Sequence, residues 1–200
     1  MLRVGLTGSI GMGKSATAKL LREAGVPVFD SDATVHKLYA PGGAAVEPVG
    51  KAFPGVVVDG AIDRSRLSEA LSANPDGFAR LEEIVHPLVS AAREAFVATQ
   101  AEAGHDIVVF DVPLLFETGG DKHVDTIIVV HAPDDVRRAR VLQRPGMTAA
   151  KLDAIIARQM DDSSKLARAD HVIETSGGLA DAGRQVDAII KKLRARAGHS

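Results

Sequence analysis

Lys14 and Ser15 end the stretch Gly8-Ser9-Ile10-Gly11-Met12-Gly13-Lys14-Ser15, which fits Gly-x-x-x-x-Gly-Lys-Ser/Thr, the pattern of a phosphate-binding loop. Gly8, Gly11 and Gly13 let the backbone fold tightly enough for successive N–H groups to point at one anion. Lys14 is then placed to reach the β- and γ-phosphates of a nucleotide and the Ser15 hydroxyl to meet a Mg²⁺ ion, with Met12 and Ala16 completing the stretch assigned to nucleotide contact. Other residue groups suit the same ligand. Asp111 follows four apolar residues, as the acid of a Walker B strand does, and its hard oxygens opposite Ser15 are what Mg²⁺ requires, directly or through water. Asp30 and Asp32 follow a second apolar run. Arg137, Arg140 and Arg144 stand at i, i+3 and i+7, so one helix face presents all three to a polyphosphate, while Arg138 points elsewhere.

To act together these groups need strands that end, and helices that begin, along one edge. Leu2 to Thr7 reads as a buried strand entering the loop, and Ala16, Leu20 and Ala24 recur at helical spacing until Gly25 stops the helix. Val26 to Phe29 reads as a second strand. Ligands of open α/β sheets sit beyond the carboxyl ends of strands, so Asp30 and Asp32 are expected near the phosphates; either also serves as a cap for the helix beginning near Ala33. From Ala33 to Gln100 the pattern is mostly helical. Val56-Val57-Val58 before Asp59-Gly60 predicts a small hairpin, and Asp63 a cap for the helix over 65–72. Pro87 biases His86 away from helical angles, which predicts a break there and a new helix to about Glu102. A lone His at such a break is either a packing or capping residue or a ligand-facing one.

Ile107 to Asp111 is the third strand, and Val112-Pro113-Leu114-Leu115-Phe116-Glu117 then sets one acid in an apolar loop, which points to burial against a ligand or the helical insertion. Thr126 to Val130 and His171 to Glu174 complete five strands. Between them Pro145-Gly146 ends the arginine helix, and Thr148 caps a further helix to about Met160 that carries Arg158, an arrangement expected of a mobile lid over ATP. Leu179 to Arg196 closes the chain with Val186, Ile189, Ile190 and Leu193 on its apolar stripe.

Composition narrows the function classes. The 200 residues are 46% apolar and 25% charged with a net charge of −2, which suits one α/β domain and gives no basic excess for nucleic acid. Cys is absent, so disulfide and thiolate chemistry are excluded and a reducing compartment is suited. The seven His form no helical zinc pair. The first strand begins at once, no apolar run approaches the length of a membrane span, and the expectation is a cytoplasmic protein with no membrane, nucleic acid or obligate protein partner.

Gly5-Leu6-Thr7-Gly8 leading into the phosphate loop, Asp30-Ser31-Asp32, Val85-His86-Pro87-Leu88, Val112 to Glu117, Gln143-Arg144, and Lys165-Leu166-Ala167-Arg168-Ala169-Asp170 together resemble the dephospho-CoA kinase family, from Val4 to about Gly177. The resemblance implies a three-layer P-loop kinase fold with a five-stranded parallel sheet. The core would be about 1–32, 103–140 and 164–200, the helical acceptor-binding insertion about 33–102 and the helical lid about 141–163. It also implies transfer of the ATP γ-phosphoryl group to the ribose 3′-hydroxyl of dephospho-CoA with Mg²⁺, giving coenzyme A and ADP. Asp32 would be the base, Lys14, Arg140 and Arg144 would bind phosphate, and Asp30, His86, Pro113, Leu114 and Glu117 would belong to the acceptor side. Ser9 departs from a usual Gly, Ala16 from a frequent Thr, and Thr175-Ser176-Gly177 from an Asn-containing turn near the adenine; the last leaves open how the ring is held. A nucleoside monophosphate kinase is the main alternative, since scaffold and phosphate loop alone do not choose an acceptor. A nucleotide switch is disfavoured, because no Asn-Lys-x-Asp occurs and Asp111-Val112-Pro113-Leu114 lacks the Asp-x-x-Gly form.

Overall fold

A strand buried on both faces has no reason to alternate apolar with polar residues, and Ile107–Asp111, buried along its whole length, lies in the interior of a parallel sheet. A computed structural model of the protein describes residues 1–198. In chain order its elements are β1 (Leu2–Thr7), α1 (Lys14–Glu23), β2 (Val28–Asp30), α2 (Ser31–Tyr39), α3 (Val46–Ala52), β3 (Val57–Val58), β4 (Ala61–Ile62), α4 (Arg64–Ser72) and α5 (Gly77–Glu102). There follow β5 (Ile107–Asp111), a 3₁₀ turn (Gly120–His123), β6 (Thr126–His131), α6 (Asp134–Leu142), α7 (Ala149–Ile156), α8 (Asp162–Ala167), β7 (His171–Glu174) and α9 (Leu179–Ala197). Contacts divide the chain into two units, Met1–Phe29 with the residues from Gln100 onward, and Asp30–Thr99.

The first unit is a five-stranded sheet in the order β2-β5-β1-β6-β7. β1 pairs in parallel with both β5 and β6, and β6 with β7. Successive side chains alternate between the faces. One face sends Leu2, Val4, Leu6, Ile107, Val109, Ile128, Val130 and Ile173 into a core with Ala18 and Leu21 of α1 and Val186, Ile189 and Leu193 of α9. On the other face Leu115 lies over Gly5, where an added Cβ would come within 2.7 Å of its Cδ2. There too Phe29 meets Phe110 edge to face, with centroids 6.2 Å apart. The buried face of α1 is Thr17, Ala18 and Leu21, with Leu20 and Ala24 at its margin, so the stripe is centred one residue from where the sequence places it. Gly25 stops the helix as expected: at φ 75° its N–H bonds to Arg22 O and that of Val26 to Leu21 O.

The second unit has its own core of Tyr39, Val49, Phe53, Val56, Ile62, Leu67 and Leu71. Val57 pairs with Ile62 and Val58 with Ala61, across a two-residue turn in which Asp59 and Gly60 both have positive φ (48° and 77°), the geometry Asp-Gly favours. The Asp63 carboxylate accepts from the Arg66 N–H at 2.9 Å and caps α4.

The expected break at His86-Pro87 is absent. α5 runs through both residues from Gly77 to Glu102, and His86 is helical. Leu81, Ile84, Val85 and Leu88 keep helical spacing across Pro87 and pack on the second core. Glu83, whose carbonyl loses its helical partner at Pro87, is an exposed residue, so the proline falls on the solvent side of the helix. Among the described residues no helix is long and apolar enough to cross a membrane.

Because α5 keeps its packing despite Pro87, Pro87→Ala restores one helical bond at an exposed position. Urea denaturation should show the variant more stable by about 1–3 kcal/mol. A less stable variant would mean that the proline ring, rather than the flanking apolar residues, holds α5 in place.

Candidate active site

Each glycine of the phosphate loop has its own steric cause. A Cβ on Gly8 would lie 2.8 Å from Val130 O, and one on Gly11, at φ 79°, would lie 2.5 Å from Val141 Cγ2. Gly13, at φ 93°, lies against Thr175 and forms the N-cap of α1. Three carbonyls of the loop are engaged by protein donors. Ser9 O accepts from Met12 N–H, Gly13 O from the Thr17 N–H and hydroxyl, and Met12 O from the Thr175 hydroxyl at 2.8 Å. With those oxygens engaged, the loop amides and the start of α1 give this end of β1 its affinity for an anion. The Met12 side chain turns into the core, where its sulfur accepts from Ala132 N–H, so only its backbone borders the site.

Lys14 forms an ion pair with Asp111, and both side chains are largely buried, at 16% and 7% exposure. The register puts Asp111 beside Leu6, so the carboxylate that ends β5 meets the lysine after the loop that ends β1. Ser15 is exposed in the first turn of α1. Among the described residues no three His, Cys, Asp or Glu side chains cluster to hold a metal ion. One carboxylate and one hydroxyl fit Mg²⁺, which binds through one or two protein oxygens plus phosphates and water rather than in an all-protein cage.

A cleft of about 290 Å³ opens beside the loop, lined in part by Gly13, Ala16, Arg140, Arg144, Thr175 and Leu179. Arg140 is fixed by two bonds to Thr175, to Oγ1 at 2.8 Å and to the carbonyl at 2.7 Å. Arg144 lies two residues past the end of α6, and among the described residues its exposed guanidinium makes no hydrogen bond or ion pair. Arg137 corrects the helical-face reading. It is buried, paired with Asp134 and, at 2.7 Å, with Asp162, so it serves the scaffold and not a polyphosphate. Arg138 points away, as expected, and pairs with Asp134 and Asp153. Thr148 caps α7 by accepting from Lys151 N–H, but α7 ends at Ile156, so Arg158 lies beyond it.

The loop after β5 is pinned to the sheet end: Val112 N–H bonds to Leu6 O, and the Thr7 hydroxyl to Pro113 O at 3.2 Å. Leu115 and Phe116 are buried against the first unit, whereas Leu114 is exposed. Glu117 accepts from Met160 N–H at 2.8 Å and pairs with Lys165 at 3.0 Å. Burial pushes its carboxyl up, but these two partners outweigh that and hold it below its usual value. Arg168 stacks on Phe116, 4.3 Å from the ring centre, and bonds to Asp121. Asp170 accepts from Ile127 N–H and the Thr126 hydroxyl. Gln159, Asp162, Lys165 and Arg168 had no assigned role in the sequence reading, although the run from Lys165 to Asp170 stands out there.

In the second unit the Asp30 carboxylate accepts from Ala33 N–H at 2.9 Å and caps α2, which starts at Ser31 rather than near Ala33. Asp32 therefore lies in the first helical turn, exposed, and makes no hydrogen bond or ion pair among the described residues. His86 is exposed on α5.

A glycine loop leaving the central strand of a parallel sheet, with its lysine on the acid of the neighbouring strand, is the arrangement of a P-loop kinase, and the chain is one. The family model for dephospho-CoA kinase matches residues 2–181. A dephospho-CoA kinase of Mesorhizobium japonicum is 53% identical over 198 residues, covering 99% of this chain and 100% of the relative. A solved Thermus thermophilus structure superposes with a TM-score of 0.81 at 33% identity, covering 96% of this chain and 97% of that one. The fold is shared with a dephospho-CoA kinase from Campylobacter jejuni, with a TM-score of 0.64 at 22% identity and 96% coverage of both chains. The chain belongs to the dephospho-CoA kinase family, whose activity is the ATP-dependent phosphorylation of dephospho-CoA in coenzyme A synthesis.

The arginine geometry separates two neighbours. Arg144→Lys keeps the charge but loses the planar fork, and should lower kcat/KM about tenfold or more with an unchanged circular dichroism spectrum. Arg138→Lys should stay within about twofold, since its partners are exposed surface carboxylates. Equal losses in the two variants would contradict this division.

Proposed function

We propose that the chain transfers the γ-phosphoryl group of ATP to the ribose 3′-hydroxyl of dephospho-CoA, with Asp32 as base and the loop from Gly8 to Ser15, with Ala16, as the nucleotide site. The observation that carries this reading is the Lys14–Asp111 pair at the adjoining ends of β1 and β5, where phosphoryl-transfer charge needs a cation and a metal-binding acid side by side. Lys14 holds the β- and γ-phosphates, and Arg144, with Arg140 behind it on Thr175, meets the phosphates from the cleft side. Ser15 and Asp111 would hold Mg²⁺, whose contribution is to neutralise charge on the β- and γ-phosphate oxygens.

The region of about 33–102 takes the acceptor, with Asp30, Asp32 and His86 contributed by it or its entry, and Pro113, Leu114 and Glu117 contributed by the loop after β5. The segment of about 141–163 acts as the lid that excludes water during transfer. Asp32 orients the 3′-hydroxyl and accepts its proton as the oxygen–phosphorus bond forms; the bond from Pγ to the bridging oxygen breaks and ADP leaves. The carboxylate of Asp32, exposed and without a partner among the described residues, supports that role, whereas Asp30 is engaged as a cap. The reaction runs in the cytoplasm, a setting the lack of Cys suits, and the net charge of −2 favours small-molecule substrates over nucleic acid, with no membrane or obligate protein partner.

Asp32→Asn keeps the shape and removes the base. Rapid-quench single turnovers with ATP and dephospho-CoA should slow by roughly 10²- to 10⁴-fold with ATP affinity nearly intact, and Asp30→Asn should cost less. Wild-type chemistry in Asp32→Asn would place the catalytic carboxylate elsewhere.

A further inference from the structure

Lys165 of α8 is a buried lysine, 1% exposed. Its ammonium donates to Glu117 Oε1 at 3.0 Å and to Ser9 Oγ at 3.3 Å. The Ser9 hydroxyl donates in turn to Asp162 Oδ1 at 2.6 Å, and Asp162 Oδ2 accepts from Arg137 at 2.7 Å. Beside this chain of bonds, Gln159 Oε1 accepts from the Ile10 N–H of the loop at 3.1 Å, and Met160 N–H donates to Glu117. The segment from Gln159 to Lys165 therefore grips the first half of the phosphate loop and the acid of the loop after β5 at once. Asp161 anchors that segment: bonds from the Ser163 hydroxyl and from Ser164 hold its carboxyl down at about 2.

The bonds to Ser9 and Ile10 fall on the loop residues that Gly11 and Gly13 do not restrain, because those glycines are fixed by close packing against α6 and Thr175. Ser9 stands where the resemblance leads one to expect Gly, so the hydroxyl that joins Lys165 to the loop is supplied by this chain's own departure from the pattern. A stability role alone is a poor account of the pair, since apolar residues in place of both Lys165 and Glu117 would often be as stable or more so, whereas loss of Lys165 alone leaves Glu117 uncompensated.

We propose that Lys165 is a positioning residue for phosphoryl transfer: acting through Ser9, it sets the first turn of the phosphate loop against Glu117 and so fixes where the γ-phosphate is presented. This rests on the assignment of the loop from Gly8 to Ser15 to ATP. Small displacements of a reacting phosphate are costly to rate and cheap in fold, so the effect belongs in kcat.

The test is steady-state and single-turnover kinetics on Lys165→Met, Ser9→Ala and the double variant, each with its thermal midpoint. Lys165→Met should lower kcat about tenfold or more while KM for dephospho-CoA stays within about twofold; because it leaves Glu117 without its cation its midpoint should fall, so the kinetics are read at a temperature where the variant is folded. Ser9→Ala should lower kcat several-fold, and the double variant should be no slower than Lys165→Met alone, because the two residues act in series. Lys165→Arg, which keeps the charge, should recover part of the loss; it and Ser9→Ala carry the test if Lys165→Met fails to fold. A kcat within about twofold of wild type in Ser9→Ala or Lys165→Met, or fully additive losses in the double variant, overturns the proposal. Failure of the ATP assignment itself would look different: the wild-type protein would form no coenzyme A from ATP and dephospho-CoA.

Discussion

A loop that binds an anion through its own amides must keep its carbonyls engaged elsewhere and admit no side chain where the backbone turns, and the first unit is built around that constraint. Gly8 lies against the backbone of β6, Gly11 against α6, and Gly13 against Thr175. Thr175 then does three things. It blocks a side chain at position 13, it donates to Met12 O, and it accepts from Arg140, which thereby stands at the wall of the cleft. The turn after β7 and the C-terminal half of α6 are thus tied to the loop after β1, although more than a hundred residues separate them from it in sequence.

Charge is arranged by the same need. The exposed pair Lys51–Glu47, with both side chains at least 75% exposed, contributes little, since water screens it. The buried charges are another case, since removing one partner of such a pair leaves an uncompensated ion and costs about 3–5 kcal/mol. Lys14 with Asp111, Arg137 with Asp134 and Asp162, and Lys165 with Glu117 all lie around the loop, and each cation has its carboxylate. In the proposed reaction Lys14 is the cation of this set that meets the phosphates. The others hold the ground on which it stands.

Much of this was legible in the sequence, for a physical reason: strands buried on both faces leave unmistakable apolar runs, and a glycine loop between such a run and a helix has few uses. The strands over Leu2–Thr7, Ile107–Asp111 and His171–Glu174, the caps at Asp63 and Thr148, and the Asp-Gly hairpin were all read from residue type alone. Two kinds of feature were not. Pro87 misled because the local bias of one ring is smaller than the packing of four apolar side chains that continue past it. Arg137 misled because spacing along a helix says which residues share a face but not which carboxylates wait there; Asp162 comes from 25 residues further on. The same blindness hid Lys165, whose partners Ser9 and Glu117 are brought together only by the sheet.

The central claim is that phosphoryl transfer depends on the cation which the loop presents beside Asp111. Lys14→Met removes that charge and keeps most of the volume of the side chain. In single turnovers with ATP and dephospho-CoA, formation of coenzyme A should slow by about 10²-fold or more while the circular dichroism spectrum is unchanged. Turnover within a few-fold of wild type in a folded Lys14→Met protein would contradict the account, because the loop would then be a structural turn and the phosphates would have to be bound elsewhere.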